Sequence, residues 1–377
     1  MDWMPTTAAL ALLALVACDA KPPHAALPDA ATIDSTARAL MQREHVHGMA
    51  LAVIDFGAVV HVAAYGIRDS VGDPLTTQTI MYGASLTKTA FTYLVMQLVD
   101  DGRLDLDASV ADLLPRPLPE YDDYHDLAAD PRWKALTMRI LLTHTTGFAN
   151  FRWLEPDSKL RFHHNPGTRY GYSGEGFYIA QLILEEALGI DVGQAMQSRV
   201  FDRFGMTRTS MQWRPDFRAN LADGFRIDGT PEPHDERSSV SAAGSMDTDI
   251  EDQARMWAGI VRGDGLTPAS RAEMMRPQVP ITSLHQFPSL APETNPANAD
   301  IRLSAGLGLV TFQDSLGKMW YKGGHNDWTG NMAICVERLQ RCVVLLSNDV
   351  RAERIYPELA QAILGETTMP WNWEYHY

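Results

Sequence analysis

The segment Y-G-A-S-L-T-K, residues 82–88, leads directly into a strongly apolar stretch of the chain. Apolar residues recur there at the spacing of one helical face, and a glycine follows as a stop signal, which predicts a helix over residues 85–100. Residues three positions apart lie on the same side of a helix. We therefore expect Ser85 and Lys88 to be neighbours at the first turn of this helix.

Ser85 and Lys88 are a candidate pair for nucleophilic catalysis. A serine hydroxyl is a poor nucleophile until a base takes its proton. A lysine beside it can act as that base if burial or a nearby cation lowers the lysine pKa. The start of a helix adds free N–H groups and positive potential, which favour a developing oxyanion. The pattern alone is weak, because a serine and a lysine three apart on a helix are usually surface residues.

Two further segments follow in an informative order. The stretch N-P-G-T-R-Y-G-Y-S-G, residues 165–174, places Tyr172 in a turn-rich loop. The stretch M-W-Y-K-G-G-H-N-D-W, residues 319–328, ends a predicted strand with Lys322 and two glycines. Glycines beside a strand let a ligand approach the backbone closely.

Taken with H-G-M-A-L-A-V-I, L-L-T-H-T-T-G-F, S-A-A-G-S-M-D-T, G-L-G-L-V and L-L-S-N-D, these segments resemble the serine β-lactamase and penicillin-binding-protein superfamily. The resemblance is to the branch of class C β-lactamases, DD-peptidases and esterases, and it covers nearly the whole chain after the N-terminal segment. It implies an α+β fold of the α/β-sandwich type. We expect an antiparallel sheet built from both termini and flanked by helices, with the active site between it and an inserted, mostly helical subdomain.

The resemblance also implies a division of the chain. A single catalytic domain is expected over residues 32–367, with an aromatic tail at 368–377. Its α/β part would cover about 32–110 and 300–367, and its helical part about 111–299. The default expectation for the tail is packing against the body, with a ligand role as the alternative.

Residue roles follow from the same resemblance. Ser85 would be the acylated nucleophile, Lys88 its base partner, and Tyr172 a second proton shuttle that serves the leaving group. Lys322 would keep Tyr172 and Lys88 suitably protonated and attract a substrate carboxylate. The backbone N–H groups of Ser85 and His325 would form the oxyanion hole. No cofactor and no metal are implied.

The sequence departs from the family pattern at two substrate-binding positions. The second motif, commonly Y-x-N, is Y-S-G here, and Gly174 has no side chain to bind an acyl-amide. The third motif is K-G-G, so Gly323 and Gly324 follow Lys322 without the hydroxyl of K-T-G. Both losses favour an ester as the small-molecule substrate, ahead of a D-amino-acid peptide or a β-lactam.

Two other functions are compatible with these motifs. The first is a penicillin-binding or sensor protein that is acylated at Ser85 but does not turn over, for which the altered Y-S-G motif argues. The second is a scaffold or self-assembling protein, supported only by the aromatic tail and the acidic segment 100–130.

The N-terminal segment predicts export. Residues 8–17 form an apolar run too short to span a bilayer but long enough for a signal peptide. The run ends in L-V-A-C, which resembles a bacterial lipobox, so residues 1–18 are the predicted signal peptide and Cys18 the predicted lipid anchor. Residues 19–31 then form a linker, and the protein is expected in the bacterial cell envelope, on the periplasmic side. Residues 1–7 lack the usual Lys or Arg, and a cytosolic tail is the alternative.

Net charge bears on the possible partners of the protein, and cysteine placement bears on disulfide bonding. The chain has 377 residues and a net charge of −15, which repels phosphate, so no nucleic-acid partner is expected. Cys335 and Cys342 lie in two strand-like runs around a polar turn, where they would face each other. Export would allow a cross-strand disulfide. Two buried free thiols are the alternative.

The remaining candidates have weaker support. Glu155 echoes the deacylating glutamate of class A β-lactamases but precedes Tyr172, so it is interpreted as a surface residue. His144 matches a helix end in the family and is expected to be structural. The histidine pairs lack zinc-binding spacing and are interpreted as loop residues; they are His45 with His47, and His163 with His164.

Overall fold

An eight-stranded antiparallel sheet joins the two ends of the chain. The computed structural model describes residue 1 and residues 26–376, so the predicted signal peptide, Cys18 and most of the linker lie outside the described residues. Residues 49–54 near the N-terminus pair with residues 342–347 near the C-terminus. This pairing confirms the prediction of a sheet built from both termini.

The strand bounds are β1 (Gly48–Asp55), β2 (Ala58–Gly66), β3 (Met81–Tyr82), β4 (Gly224–Phe225), β5 (Pro231–Glu232), β6 (Asp247–Thr248), β7 (Val279–Pro280), β8 (Ser304–Ala305), β9 (Val310–Asp314), β10 (Gly317–Asn326), β11 (Thr329–Val336) and β12 (Arg341–Ser347). The large sheet has the order β2-β1-β12-β11-β10-β9-β8-β7. The short strands form two separate pairs, β3 with β6 and β4 with β5.

The α-helices are α1 (Ala30–Glu44), α2 (Leu86–Asp100), α3 (Val110–Leu113), α4 (Met138–Leu142), α5 (Gly174–Leu182), α6 (Val192–Met196), α7 (Ile250–Arg262), α8 (Pro268–Met274), α9 (Tyr356–Leu364) and α10 (Trp371–Tyr375). Shorter helical turns connect several of them.

The sheet is covered by helices on both faces. Successive side chains of a strand point to opposite faces. Ala50 and Ala52 of β1 accordingly pack in one apolar cluster with α2 and α7, whereas Met49 and Leu51 pack in another with α1 and α9. The central strands β11 and β12 are buried along their whole length, which explains their continuous apolar sequences.

Three helices bear on the expected division of the chain. Helix α1 begins at Ala30, inside the segment predicted as a linker. Helix α7 lies within the predicted helical part but packs against β1, β2 and β12, so the chain returns to the sheet earlier than expected. Helix α10 shows that the aromatic tail has its own helical turn, and Trp373 within it is buried. Within the described part of the chain, no helix combines the length and the apolar character needed to cross a bilayer.

The two predicted cross-strand cysteines are bonded to each other. Cys335 of β11 lies directly opposite Cys342 of β12. The structure joins them in a disulfide, which confirms that prediction over the alternative of two free thiols.

Candidate active site

Ser85 lies at a sharp turn where the chain enters α2. Ala84 before it adopts a φ of 46°, in the left-handed region that non-glycine residues rarely occupy. Such strained backbone clusters at functional sites. Gly324 of β10 lies opposite this turn, and a Cβ there would come within 3.0 Å of the Ser85 backbone nitrogen. Glycine at 324 therefore lets the strand approach the start of the helix.

Lys88 projects from the first turn of α2 into the same space. Its Nζ lies 3.0 Å from Ser85 Oγ and donates a hydrogen bond to the Ala243 carbonyl at 2.5 Å. The side chain is 1% exposed. Burial, together with the positive charge of Lys322, holds the pKa of Lys88 well below its usual range. A neutral amine next to the serine hydroxyl can accept its proton.

The loop that carries Ala243 belongs to the segment S-A-A-G-S-M-D-T. Besides receiving Lys88, the loop donates from the Met246 backbone N–H to Thr87 Oγ1 at 3.2 Å. Thr87 in turn donates to the Ala84 carbonyl at 2.6 Å. This short network connects the loop to the turn that presents Ser85.

Tyr172 and Lys322 complete the polar centre. Lys322 Nζ donates to the Tyr172 hydroxyl at 3.2 Å and to the Gly323 carbonyl at 2.6 Å. Both lysines lie close to the Tyr172 ring, with Lys88 Nζ at 5.1 Å and Lys322 Nζ at 5.0 Å from its centroid. The structure thus brings together the four residues predicted to be catalytic.

Burial sets the protonation of these two groups. It raises the pKa of Tyr172, and the hydrogen bond with Ser85 opposes it only in part, so the phenol keeps its proton at neutral pH. Burial lowers the pKa of Lys322 to about 8, although the carboxylate of Glu374 acts in the opposite direction. Lys322 therefore remains mostly protonated at neutral pH, whereas the lowered pKa of Lys88 favours its neutral amine.

His144 is a site residue whose position the sequence did not reveal. Its ring stacks on Tyr172 with centroids 4.1 Å apart. Its Nδ1 accepts a hydrogen bond from the Ser173 backbone N–H at 3.1 Å. Burial and the nearby lysine side chains hold the pKa of His144 well below its usual range, so the ring is neutral. The prediction of a structural role is consistent with this position, since His144 supports the Tyr172 ring.

A cavity of about 540 Å³ opens in front of these residues. Ser85, Tyr172 and Lys322 lie on its wall, as do Gly323, Gly324 and His325. The imidazole of His325 faces Glu353, whose carboxylate lies 3.0 Å from Nδ1. Burial alone would lower the pKa of His325, but this carboxylate raises it.

Phe151 occupies the space in front of Gly174, the glycine of the second motif. A Cβ at Gly174 would overlap the Phe151 ring. This ring stacks on Trp153, with the two ring centroids 4.2 Å apart. Asn150 accepts a hydrogen bond from the Gly174 backbone N–H at 3.0 Å and lines the cavity. The loop 150–153 therefore supplies side chains where the family pattern has an asparagine.

Glu374 of α10 occupies the space in front of Gly323, the first glycine of the third motif. A Cβ at Gly323 would overlap Glu374 Oε1. The Glu374 side chain lines the cavity although the residue is only 3% exposed. The tail thus contributes to the cavity wall as well as packing against the body. The sequence did not single out Glu374 as the residue that does so.

The weaker candidates lie apart from this centre. Glu155 does not line the cavity, and its side chain, which is 8% exposed, faces His163 at 2.5 Å. It is therefore a mostly buried, paired residue rather than the surface residue predicted. His47 contacts Asp349, with Nδ1 3.0 Å from the carboxylate. Within the described residues, no group of three or more His, Cys, Asp or Glu side chains could hold a metal ion.

A family model named Beta-lactamase matches residues 33–366. The chain belongs to the beta-lactamase family. The fold agrees with structures of this family. The D-alanine carboxypeptidase AmpC from Burkholderia cenocepacia has a TM-score of 0.69 at 20% identity and covers 89% of this chain and 98% of its own. An octameric penicillin-binding protein homologue from Pyrococcus abyssi has a TM-score of 0.70 at 18% identity, and the match covers 88% of this chain and 77% of the homologue.

Curated members of the family are similar over shorter stretches. A lovastatin esterase from Penicillium rubens is 28% identical in an alignment of 225 residues that covers 51% of this chain and 56% of the esterase. A penicillin-binding protein 4 from Amycolatopsis lactamdurans is 30% identical in an alignment of 210 residues that covers 52% of this chain and 53% of that protein. The chain therefore spans about half the length of these relatives. The comparisons confirm the predicted superfamily and serine hydrolase class, while the residue roles and the substrate stay predictions.

Proposed function

We propose that this chain hydrolyses esters through an acyl-enzyme formed on Ser85. The observation that carries the proposal is the pair of Ser85 Oγ and the buried Lys88 Nζ, 3.0 Å apart on the wall of a cavity of about 540 Å³. Neighbouring residues with opposed pKa shifts divide the acid and base roles. Here the neutral Lys88 is the base and the protonated Tyr172 the acid.

The reaction begins when Ser85 Oγ attacks the ester carbonyl and its proton passes to Lys88. The tetrahedral oxyanion is received by the backbone N–H groups of Ser85 and His325. The bond from the carbonyl carbon to the leaving oxygen then breaks, and the leaving alkoxide takes the Tyr172 phenol proton. Lys322 stabilises the Tyr172 phenolate until Lys88 passes to Tyr172 the proton that Lys88 took from Ser85. In the second half, water attacks the acyl-enzyme carbonyl and its proton passes to Lys88. The bond from the carbonyl carbon to Ser85 Oγ then breaks, the acid leaves, and Lys88 returns the proton to Ser85 Oγ.

Ester preference is supported by what fills the two altered motifs. An acyl-amide substrate needs an amide partner at Gly174, but Phe151 fills that space and the neighbouring Asn150 uses its Oδ1 to bind the Gly174 N–H. A missing hydrogen-bond partner is costly when the group is buried. An ester makes less demand on that position. The similarity to a lovastatin esterase points the same way.

The first experiment measures the intact mass of the mature protein after exposure to a penicillin, with a fluorophosphonate as positive control. We expect the fluorophosphonate to label Ser85, the penicillin to stay intact, and a simple aryl ester to be hydrolysed. The matched control is Ser85→Ala, which should lose ester turnover by about 10⁴-fold or more.

Other outcomes would redirect the assignment. A stable penicillin adduct on Ser85 without drug hydrolysis would favour the alternative of a penicillin-binding or sensor protein. A transient adduct with drug consumption would favour a β-lactamase or peptidase. Ester turnover that survives in Ser85→Ala would contradict the proposal.

We also propose that the chain is exported and lipid-anchored at Cys18 on the periplasmic side of the cell envelope. Support comes from the apolar run that ends in L-V-A-C and from the Cys335–Cys342 disulfide, since such bonds persist mainly in oxidising compartments. Mass analysis of the N-terminal peptide from a native membrane fraction tests this. An acylated Cys18 is expected, and an unmodified peptide that begins at Met1 would contradict it.

A further inference from the structure

Helix α10 brings a carboxylate to the end of the cavity where Lys322 lies. Glu374 shares this wall with Lys322, Gly323 and His325. Its carboxylate occupies the space that a side chain at position 323 would fill, because a Cβ there would overlap Oε1. The glycine and the glutamate are therefore a complementary pair, one making room and the other filling it.

The carboxylate is held in place by the residues around it. Trp373, next to it on α10, donates from Nε1 to Ser283 Oγ at 3.0 Å, and its carbonyl accepts from the Gln286 backbone N–H at 2.8 Å. The Gln286 side chain hydrogen-bonds Glu374 and also accepts from the Tyr170 hydroxyl at 3.1 Å. A carboxylate fixed on both sides in this way is a built feature of the wall.

The charge of Glu374 changes what Lys322 can attract. A lysine alone at this end of the cavity would draw a substrate carboxylate towards it. Burial raises the pKa of Glu374, while the cations Lys322 and His325 and the hydrogen bond from Gln286 oppose that rise and favour the carboxylate. With this carboxylate on the same wall, the charge of Lys322 is balanced and an incoming carboxylate meets a negative charge. Like charges brought together in a desolvated site weaken binding.

We propose that Glu374 is a specificity-determining residue that excludes substrates with a carboxylate on the leaving group, so that the cavity takes uncharged esters. This inference rests on the proposed function of Ser85 as the acylated nucleophile. It adds the substrate class and assigns that choice to the C-terminal helix.

The test follows release of acetate from two acetyl esters, 3-acetoxybenzoate, which carries a carboxylate on its leaving group, and its methyl ester, which does not. Both have the same acyl group and the same leaving oxygen. In the full-length protein, Glu374→Gln keeps the size and the Gln286 hydrogen bond but removes the charge. We expect kcat/KM for the carboxylate ester, relative to the methyl ester, to rise about tenfold or more, since tenfold corresponds to only about 1.4 kcal/mol.

The matched control is Glu366→Gln, which makes the same charge change at an exposed position between α9 and α10. It should leave the ratio unchanged. A purely structural role of Glu374 would lower both rates together and leave the ratio where it was. An unchanged ratio in Glu374→Gln therefore overturns the proposal.

A binding measurement separates this proposal from the proposed esterase function. Phenylboronic acid and 3-carboxyphenylboronic acid bind a serine hydroxyl without turnover and differ only in the carboxylate. If wild-type protein hydrolysed neither ester, the esterase proposal would fail, and this pair would still test Glu374. Weaker binding of the carboxylated compound that is relieved in Glu374→Gln supports the inference. Equal binding of the two compounds, or binding of neither, overturns it.

Discussion

The two sides of the cavity differ in how closely their residues follow the family motifs. The chemical side consists of the first turn of α2, the loop around Ala243, Tyr172 and Lys322, and these residues lie in segments that match the family motifs. The recognition side consists of Gly174, Gly323, loop 150–153 and α10, where two motif side chains are glycine and other residues fill the space. The comparison shows that the motif residues proposed for the chemistry are present, whereas the space at two substrate-binding motif positions is filled by residues from elsewhere in the chain.

The largest effect should come from the side that carries the chemistry. Lys88→Met replaces a buried neutral amine by an apolar side chain of similar length and removes the proton acceptor for Ser85. We expect kcat for an uncharged ester to fall about 10³-fold or more, because positioned general bases contribute about 10²–10⁴-fold. Single-turnover kinetics with an aryl ester would measure it.

The control for this variant is Lys159→Ala, which removes a lysine at an exposed position. It should leave the rate unchanged. A thermal unfolding curve for Lys88→Met checks that the loss is not one of folding. Near-normal acylation in a folded Lys88→Met protein would show that another group is the base.

Much of the chemical side could be predicted because its contacts are local or follow from the family resemblance. Ser85 and Lys88 are neighbours through helical spacing alone. Tyr172 and Lys322 come from distant segments, and only the order of motifs indicated that they meet. His144 was predicted to be structural, but its stacking on Tyr172 depends on tertiary packing that no local pattern encodes.

The recognition side could not be predicted, for a physical reason. A glycine in a motif shows that a side chain is missing but not what fills the space. At Gly174 the space is filled by Phe151, and at Gly323 by Glu374 from the tail. The same limit applies to the fold. The sheet was predictable from its apolar strands, whereas an amphipathic helix such as α7 does not show which layer it packs against.

A smaller effect should follow when the second motif is restored. Gly174→Asn alone places a side chain against Phe151, and overpacking of this kind costs about 1–3 kcal/mol in the free energy of unfolding. The double variant Gly174→Asn with Phe151→Ala relieves the overlap and supplies an amide. We expect a penicillin adduct on Ser85 to form about threefold to tenfold faster than in wild type, which is the value of one hydrogen bond.

Intact-mass kinetics measure this gain, and Phe151→Ala alone is the control, because it opens the same space without adding an amide. If both proteins are acylated at one rate, added room rather than the amide explains the gain. The difference between the two sides of the cavity would then be one of volume and not of hydrogen bonding.

The smallest effect is on the pH profile, and it links the two sides. Burial lowers the pKa of Lys322 to about 8, so this cation loses its proton as the pH rises through that value. Deprotonation of Lys322 removes the charge that stabilises a Tyr172 phenolate. It also removes the charge that, together with burial, lowers the pKa of Lys88. For an uncharged ester, kcat/KM should therefore fall above about pH 8.

The Glu374 carboxylate raises the pKa of Lys322 against the effect of burial. In Glu374→Gln this contribution is absent, the pKa of Lys322 is lower, and the alkaline limb of the profile should move to lower pH. His325, which also lies on this wall, is paired with Glu353 in both proteins. Glu366→Gln should leave the limb in place. An alkaline limb that is unchanged or moves to higher pH in Glu374→Gln would contradict this prediction. The tail would then shape the cavity without affecting the pKa of Lys322, and the two sides would be electrostatically independent.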